Sequence, residues 1–286
     1  ANAWMNSPSG FDFVNGEYTN VDPIAAMFND AWPLQALHMS LAAFAATGFA
    51  VAGVHALMIM RNKNVLFHTK AFKIAALFGT IAALLQPISG DLSARDVAQR
   101  QPAKLAAMEA LFHTSKPAPL LIGGFPSEED QTVRYGIYIP RLLSFLPHGD
   151  FEAEVKGLDQ FPRENWPPVA VTHIAFQIMI GIGTVLAALG AWSLVALWKR
   201  PAWLRSRRTL RLFAACAPLG FIAIEAGWTV TEVGRQPWII YGIMRTKDAV
   251  TPMPGLVYPM MLFTFVYLAL AFIVVWLMVR QFRHVG

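Results

Sequence analysis

Five segments of the chain, about 34–60, 72–90, 168–198, 210–233 and 256–279, are apolar over lengths that can cross a bilayer. Roughly 20 consecutive apolar residues suffice for a transmembrane α-helix. Lipid supplies no hydrogen-bond partners to the backbone, so each such stretch must satisfy its own amides and carbonyls by folding as a helix. The expected fold is all-α, a polytopic membrane helix bundle with five transmembrane helices. Apolar residues make up 55% of the chain and charged residues 14%, more hydrophobic than a soluble domain of this length requires.

Cationic residues orient the bundle. Lys and Arg concentrate at Arg61, Lys63, Lys70 and Lys73, again at Lys199, Arg200, Arg205, Arg207, Arg208 and Arg211, and finally at Arg280 and Arg283. The positive-inside rule assigns these links to the cytoplasm. Segment 91–167 carries eight Lys and Arg against eleven Asp and Glu, as a loop on the opposite face would. The expected organisation is an external loop over 1–33, two transmembrane helices over 34–90, a large external loop over 91–167 and two more helices over 168–233. A further external loop covers 234–255, before a last helix and cytoplasmic tail over 256–286. The net charge of +5 reflects this topology and gives no reason to invoke nucleic acid. The single cysteine, Cys216, excludes an intrachain disulfide and a cysteine-based metal cluster. Ala1 to Met5 show neither an initiator Met nor the zones of a signal peptide, so the sequence is expected to be truncated at its start.

Within this frame the second apolar helix is expected to end at Pro87 and Gly90, with Asp91 capping the next segment. Residues 101–113 form a strong helical pattern with Pro102 early in it, outside the bilayer. Prolines and glycines then interrupt 116–167 so often that long regular elements are excluded. Such a loop serves either as a substrate lid or as a tether.

The residues that could carry chemistry lie at the edges of the apolar segments. The fourth segment closes on Gly227-Trp-Thr-Val-Thr-Glu-Val-Gly-Arg-Gln-Pro-Trp238, which places a carboxylate, a guanidinium and two indoles at a membrane-length helix end. Ionised groups there are costly unless a cofactor, a counter-charge or water compensates them. Glu225, Trp228 and Glu232 fall on one helical stripe. Glu232 reads either as an interfacial partner of Arg235, with Trp228 in an aromatic belt, or as a haem ligand or proton carrier with Arg235 neutralising haem propionates. His38 in the first apolar segment and Met179 in the third offer an imidazole and a thioether, the pair that suits a low-spin b-type haem. Gly181 and Gly183 leave room for a macrocycle. A packed histidine and a lipid-facing methionine are the plain alternative. Lys104 and Glu109 stand about 140° apart around an ideal helix and so should not pair with each other. Glu109 could accept a proton from a bound substrate while Lys104 or Gln101 holds a polar oxygen of it, unless the helix is simply a solvated amphipathic one. Glu109 and His113 are spaced for a relay. His55, His68, His148, His173 and His284 make weaker claims, although His173 and Gln177, one turn apart, are expected to line the same pocket.

Taken together, Ala1 to Met5, His38, the run Gln101-Pro-Ala-Lys-Leu-Ala-Ala-Met-Glu109, Met179, and Glu225 to Trp238 with its Gly-Arg-Gln-Pro-Trp core resemble subunit I of the cytochrome bd family in that family's order. The family comprises haem-containing quinol oxidases of prokaryotic respiratory membranes, and the resemblance runs from the first residue to the last. It implies a place in a bacterial cytoplasmic (inner) membrane, with 91–167 on the outer face and quinol as the substrate. It implies that His38 and Met179 ligate haem b558, that Glu232 ligates haem b595 with Trp228 between haems and Arg235 near propionates, and that Gln101, Lys104 and Glu109 belong to the quinol-oxidising loop. Electrons would pass onward to haem d, and a second large subunit, a small single-helix subunit and membrane lipid would be the partners.

The chain departs from the family pattern in two places. Subunit I has nine helices in the family, and the four N-terminal ones, with an oxygen-side histidine ligand, have no counterpart here, so this portion alone should not reduce oxygen. Gln177 stands where the family commonly places an arginine, and losing that cation should lower the potential of the low-spin haem unless another charge substitutes. The short loop resembles the cyanide-insensitive branch, which often carries a further haem b in place of haem d. An electron-transfer cytochrome that does not reduce oxygen and a haem-free transporter are the rival readings of the same residues.

Overall fold

The computed structural model describes residues 1–15 and 17–285, with side chains at all of these except Arg205 and 282–285. The expectations for Arg205, Arg283 and His284 therefore lie outside the described side chains. In chain order the elements are α1 (Asn2–Asn6), β1 (Asp12–Val14), β2 (Glu17–Thr19), α2 (Pro23–Met27), α3 (Trp32–Met60), α4 (Val65–Arg100) and α5 (Pro102–Met108). Then come β3 (Leu120–Ile122), β4 (Phe125–Ser127), β5 (Thr132–Arg134), β6 (Ile137–Ile139), α6 (Leu142–His148), α7 (Val169–Lys199), α8 (Arg207–Cys216) and α9 (Leu219–Val233). The chain ends with β7 (Trp238–Ile240), β8 (Met244–Arg245) and α10 (Val257–Val285). Five helical stretches are long and apolar enough to span a membrane: α3, α4, α7, the α8 and α9 pair, and α10. The protein is thus a multi-pass, all-α membrane bundle. Residues 1–248 form one compact unit, and α10 belongs to a second, 249–286.

Within the first unit the helices meet through small residues. A β-carbon built on Gly48 of α3 would lie 2.5 Å from the α-carbon of Gly79 on α4, so the two backbones touch where both side chains are hydrogen. Close approach of this kind replaces the hydrophobic drive that lipid cannot supply. Beside it, Phe213 of α8 stacks on Phe49 at 5.7 Å and meets Phe72 edge-on at 4.9 Å, filling the centre of the core.

Two helix boundaries differ from the sequence expectation. α4 does not stop at Pro87 and Gly90 but continues to Arg100. Proline removes one amide donor, a local loss. Past it, Ser93 Oγ donates to the Ser89 carbonyl, and the one-turn ion pairs Asp91 to Arg95 (2.9 Å) and Asp96 to Arg100 (2.6 Å) support the extension. The helix expected over 101–113 ends instead at Met108. Ala110 takes a left-handed φ of 48°, and the Leu111 amide turns back to the Ala106 carbonyl at 2.8 Å. Glu109 is consequently buried while His113 is exposed, so the expected relay between them does not form. The fourth span is broken at Pro218 between α8 and α9.

Beyond α5, the chain to residue 168 holds only short pieces, as its prolines and glycines require. β4 and β5 pair inside an outer pair of β3 and β6, both antiparallel. Leu121, Leu158 and Val169 pack with Ala106, Ala107 and Phe112, which seats this segment on α5 and on the start of α7.

Candidate functional site

Two chain segments far apart in sequence converge on α1. Asn6 is buried, and its Oδ1 accepts from Lys104 Nζ at 2.8 Å and from Gln101 Nε2 at 3.1 Å. The Gln101 amide also donates to the Asn6 carbonyl at 2.6 Å. One turn back, Asn2 Oδ1 accepts from Arg235 Nη1 at 2.9 Å, while Arg235 Nη2 donates to Glu232 Oε2 at 2.5 Å. Asn6 Nδ2 donates to Asn2 Oδ1 at 2.9 Å and closes the network. Gly234 lets the end of α9 approach, since a β-carbon there would lie 3.2 Å from Lys104 Cγ and 3.2 Å from Thr172 Cγ2. The structure therefore joins Gln101, Lys104, Glu232 and Arg235, and it does so through two asparagines to which the sequence assigned no role. Their only signal was their place in the Ala1 to Met5 patch and just after it.

The electrostatics of this network are set by burial. Burial first, then the neighbouring Arg235 charge, brings the Lys104 ammonium down to about 7, with Glu232 pulling the other way. Glu109, at the end of α5, forms no ion pair with Lys104, and burial pushes its carboxyl up to about 8. Both groups are thereby poised near neutrality, where a proton can be taken or given at small cost.

Some buried polar atoms are left without partners, which folded proteins rarely tolerate. Among the described residues there are six such side-chain atoms, and four of them are Gln86 Oε1, Gln101 Oε1, Glu109 Oε2 and Arg235 Nε. Three of these four belong to residues singled out from sequence, and the fourth belongs to the neighbour of His38.

His38 lies on α3 facing α4. Its Nδ1 is 3.0 Å from Ser89 Oγ, Gln86 Nε2 is 3.2 Å from its Nε2, and a β-carbon on Gly90 would lie 3.6 Å from its Cε1. Met179 packs where α7 meets α9: its Sδ would be 2.9 Å from a β-carbon on Gly227, and Met108, Phe176 and Val230 surround it. No hydrogen bond joins His38 to Met179 among the described residues. An imidazole and a thioether are donors that suit a haem iron, and nothing lies within 4 Å of β-carbons built on Gly181 and Gly183. Donor chemistry and open space fit a haem. Arg235 is buried, and its Nε is a donor left without a partner.

The remaining candidates fall in different settings. Trp228 is 60% exposed on α9, and Glu225 is exposed beside it. Trp238 stacks under Arg245, whose Nη2 reaches Glu164 at 2.9 Å and Asn165 at 2.8 Å, tying the segment after α9 to the long loop. Gln177 is engaged on both ends of its amide with the backbone of 121–123, an anchoring role that a missing arginine did not suggest. His55 and His68 meet through their Nδ1 atoms at 2.8 Å.

A five-span membrane protein with a proton-poised network joining the ends of α5 and α9 to α1 is the class that fold and site define. The family model for cytochrome bd terminal oxidase subunit I matches residues 1–285, and the chain belongs to that family. A Bacillus subtilis (strain 168) protein named cytochrome bd ubiquinol oxidase subunit 1 is 32% identical over 99% of this chain and 63% of its own length. The cytochrome bd-II ubiquinol oxidase subunit 1 of Escherichia coli (strain K12) is 26% identical over 87% of this chain and 62% of its own. The structure of bd oxidase from Geobacillus thermodenitrificans superposes with a TM-score of 0.89 at 36% identity, over 99% of this chain and 65% of that one. The chain thus spans a little under two thirds of the relatives it matches.

Proposed function

We propose that the chain is the quinol-oxidising, haem-bearing portion of subunit I of a bd-type quinol:oxygen oxidoreductase in a bacterial cytoplasmic membrane, with the loop between α4 and α7 on the outer face. The observation that carries this reading is the set of unpartnered buried atoms on Gln101, Glu109 and Arg235, next to two groups poised at about 7 and about 8. A quinol presents two hydroxyls that must be held and deprotonated as its electrons leave. Gln101 Oε1 accepts from one hydroxyl, and Lys104 orients a ring oxygen while its neutral fraction can take a proton. Glu109, in its ionised fraction, takes the other proton and passes it to the outer water.

The cofactors belong to the same reading. His38 and Met179 would hold haem b558, Glu232 would hold haem b595 with Trp228 alongside, and Arg235 would lie near the propionates. Bound there, such haems, with haem d or a further haem b beyond them, would supply the one-electron chemistry that quinol oxidation needs. Subunit II and a small single-helix subunit complete the assembly, and protons released outside and consumed inside generate the proton motive force.

The test is a dithionite-reduced minus air-oxidised spectrum of the full-length oxidase, native and with Met179→Leu. Loss of the low-spin b-type band, or its conversion to a high-spin one, in the variant is expected. A folded native protein without haem absorption refutes the reading, and an unchanged low-spin band in Met179→Leu refutes the ligand assignment.

A further inference from the structure

His173 is absorbed by none of these roles, yet it is fully buried at the outer end of α7. Its Nδ1 lies 2.8 Å from the Met108 carbonyl oxygen and its Nε2 lies 3.0 Å from the Gly123 carbonyl oxygen. Both neighbours are pure acceptors, so each ring nitrogen can contribute only by donating an N–H, and donating to both at once needs both ring protons. One turn further along, Gln177 Nε2 donates to the Leu121 carbonyl at 3.1 Å, and its Oε1 accepts the Gly123 amide at 3.0 Å. Two side chains of α7 thus hold the last carbonyl of α5 and both polar groups of Gly123, a loop residue at a left-handed φ of 66°.

The position of this clamp gives it consequence. Met108 is adjacent to Glu109, the buried acid. Gln177 is two residues before Met179 on the same rigid helix, and Met108 and Met179 pack in one apolar cluster. Nothing else described bonds the Met108 carbonyl to α7.

We propose that His173 is a positioning residue for the quinol-side acid: through the Met108 carbonyl it fixes Glu109 relative to the helix that carries Met179, while its second nitrogen and Gln177 fix the segment 121–123. The kinetic consequence rests on the proposed quinol oxidation, but the clamp itself is a structural claim with its own readout.

Two substitutions separate the halves of the imidazole. The amide nitrogen of asparagine stands near the place of Nδ1, and that of glutamine near the place of Nε2. In the full-length oxidase, His173→Asn should keep the donor to Met108 and hold the quinol KM within about twofold of native. His173→Gln should lose it and raise KM about tenfold, the size of one hydrogen bond to a buried carbonyl, with the haem spectrum unchanged. Hydrogen exchange followed by mass spectrometry should show faster exchange around 109–113 in the Gln variant and around 121–124 in the Asn variant. Native KM and native exchange in His173→Gln, or the reverse assignment of the two variants, overturns the proposal. If neither variant folds, exchange in the native complex decides: the Gly123 amide must be slow although it lies in a loop, and rapid exchange there overturns the clamp. A native complex that does not oxidise quinol sinks the functional reading alone, because the exchange pattern still decides the clamp.

Discussion

Glu109→Gln should remove a proton-binding group that titrates far above the ordinary carboxylate range. Burial raises this carboxyl from 4.5 to about 8, and its Oε2 has no partner to offset the cost of ionisation. At pH 7 about nine tenths of the population should therefore be protonated in the folded protein, against almost none in the unfolded chain. Between 4.5 and about 8 the folded state binds the proton more tightly, so this group's contribution to stability falls as pH rises through that window. By pH 7 the loss is on the order of 3 kcal/mol. Lys104 acts with the opposite sign: its value of about 7 lies below the ordinary 10.5, so its contribution rises with pH between the two. The assay is infrared difference spectroscopy of the full-length oxidase across this range. A carboxylic-acid carbonyl band should vanish with a midpoint near 8 and be absent in Glu109→Gln. Thermal unfolding should show the variant gaining on the native protein as pH rises from 4.5 to about 8. A band that titrates near 4.5, or parallel stability profiles, would refute the effect of burial.

Three further perturbations address the network and the bundle. Asn6→Ala removes the acceptor shared by Lys104 and Gln101 and should destabilise the protein by about 1–3 kcal/mol, read as a lowered unfolding midpoint in detergent; no change would mean the asparagine is incidental. Glu232→Gln leaves the buried Arg235 guanidinium without its carboxylate, and because Glu232 is itself 40% exposed the cost should be about 2 kcal/mol, below the value for a fully buried pair. It should also lower the Lys104 value further, since Glu232 is what raises it, and a quinol oxidation rate whose pH profile does not move would contradict the coupling. Gly48→Val forces apart two backbones in contact at Gly79 and should abolish accumulation of folded protein in the membrane, whereas normal yield would show the crossing to be adaptable.

The spans were legible because lipid leaves an apolar segment a single way to fold, and the end of α4 was not, because Pro87 weighs less than the two ion pairs beyond it. The end of α5 was hidden for a related reason. Ala110 adopts a conformation usually left to glycine, so composition continued the helix while packing stopped it. Of the site, the residues with unusual chemistry in apolar surroundings, Glu109, Lys104, Glu232 and Arg235, announced themselves by type. Asn2 and Asn6 did not, and His173 carried only a weak claim. Their importance lies in which carbonyls and side chains face them, and such facing depends on contacts between residues far apart in the chain.

The partners of α1 also set a timetable for biogenesis. Asn6 waits for Gln101 and Lys104, Asn2 waits for Arg235, and the Met5 carbonyl accepts the Tyr241 amide at 2.9 Å. A ribosome that has released α1 must still insert four spans before Tyr241 emerges, and closing so long a loop is slow though only modestly costly in entropy. Until Lys104 and then Arg235 are made, Asn6 and Asn2 have no cation to receive. The proton-poised cluster is therefore among the last parts of this unit to be completed, and a nascent chain holds the parts of the cluster well before it holds their arrangement.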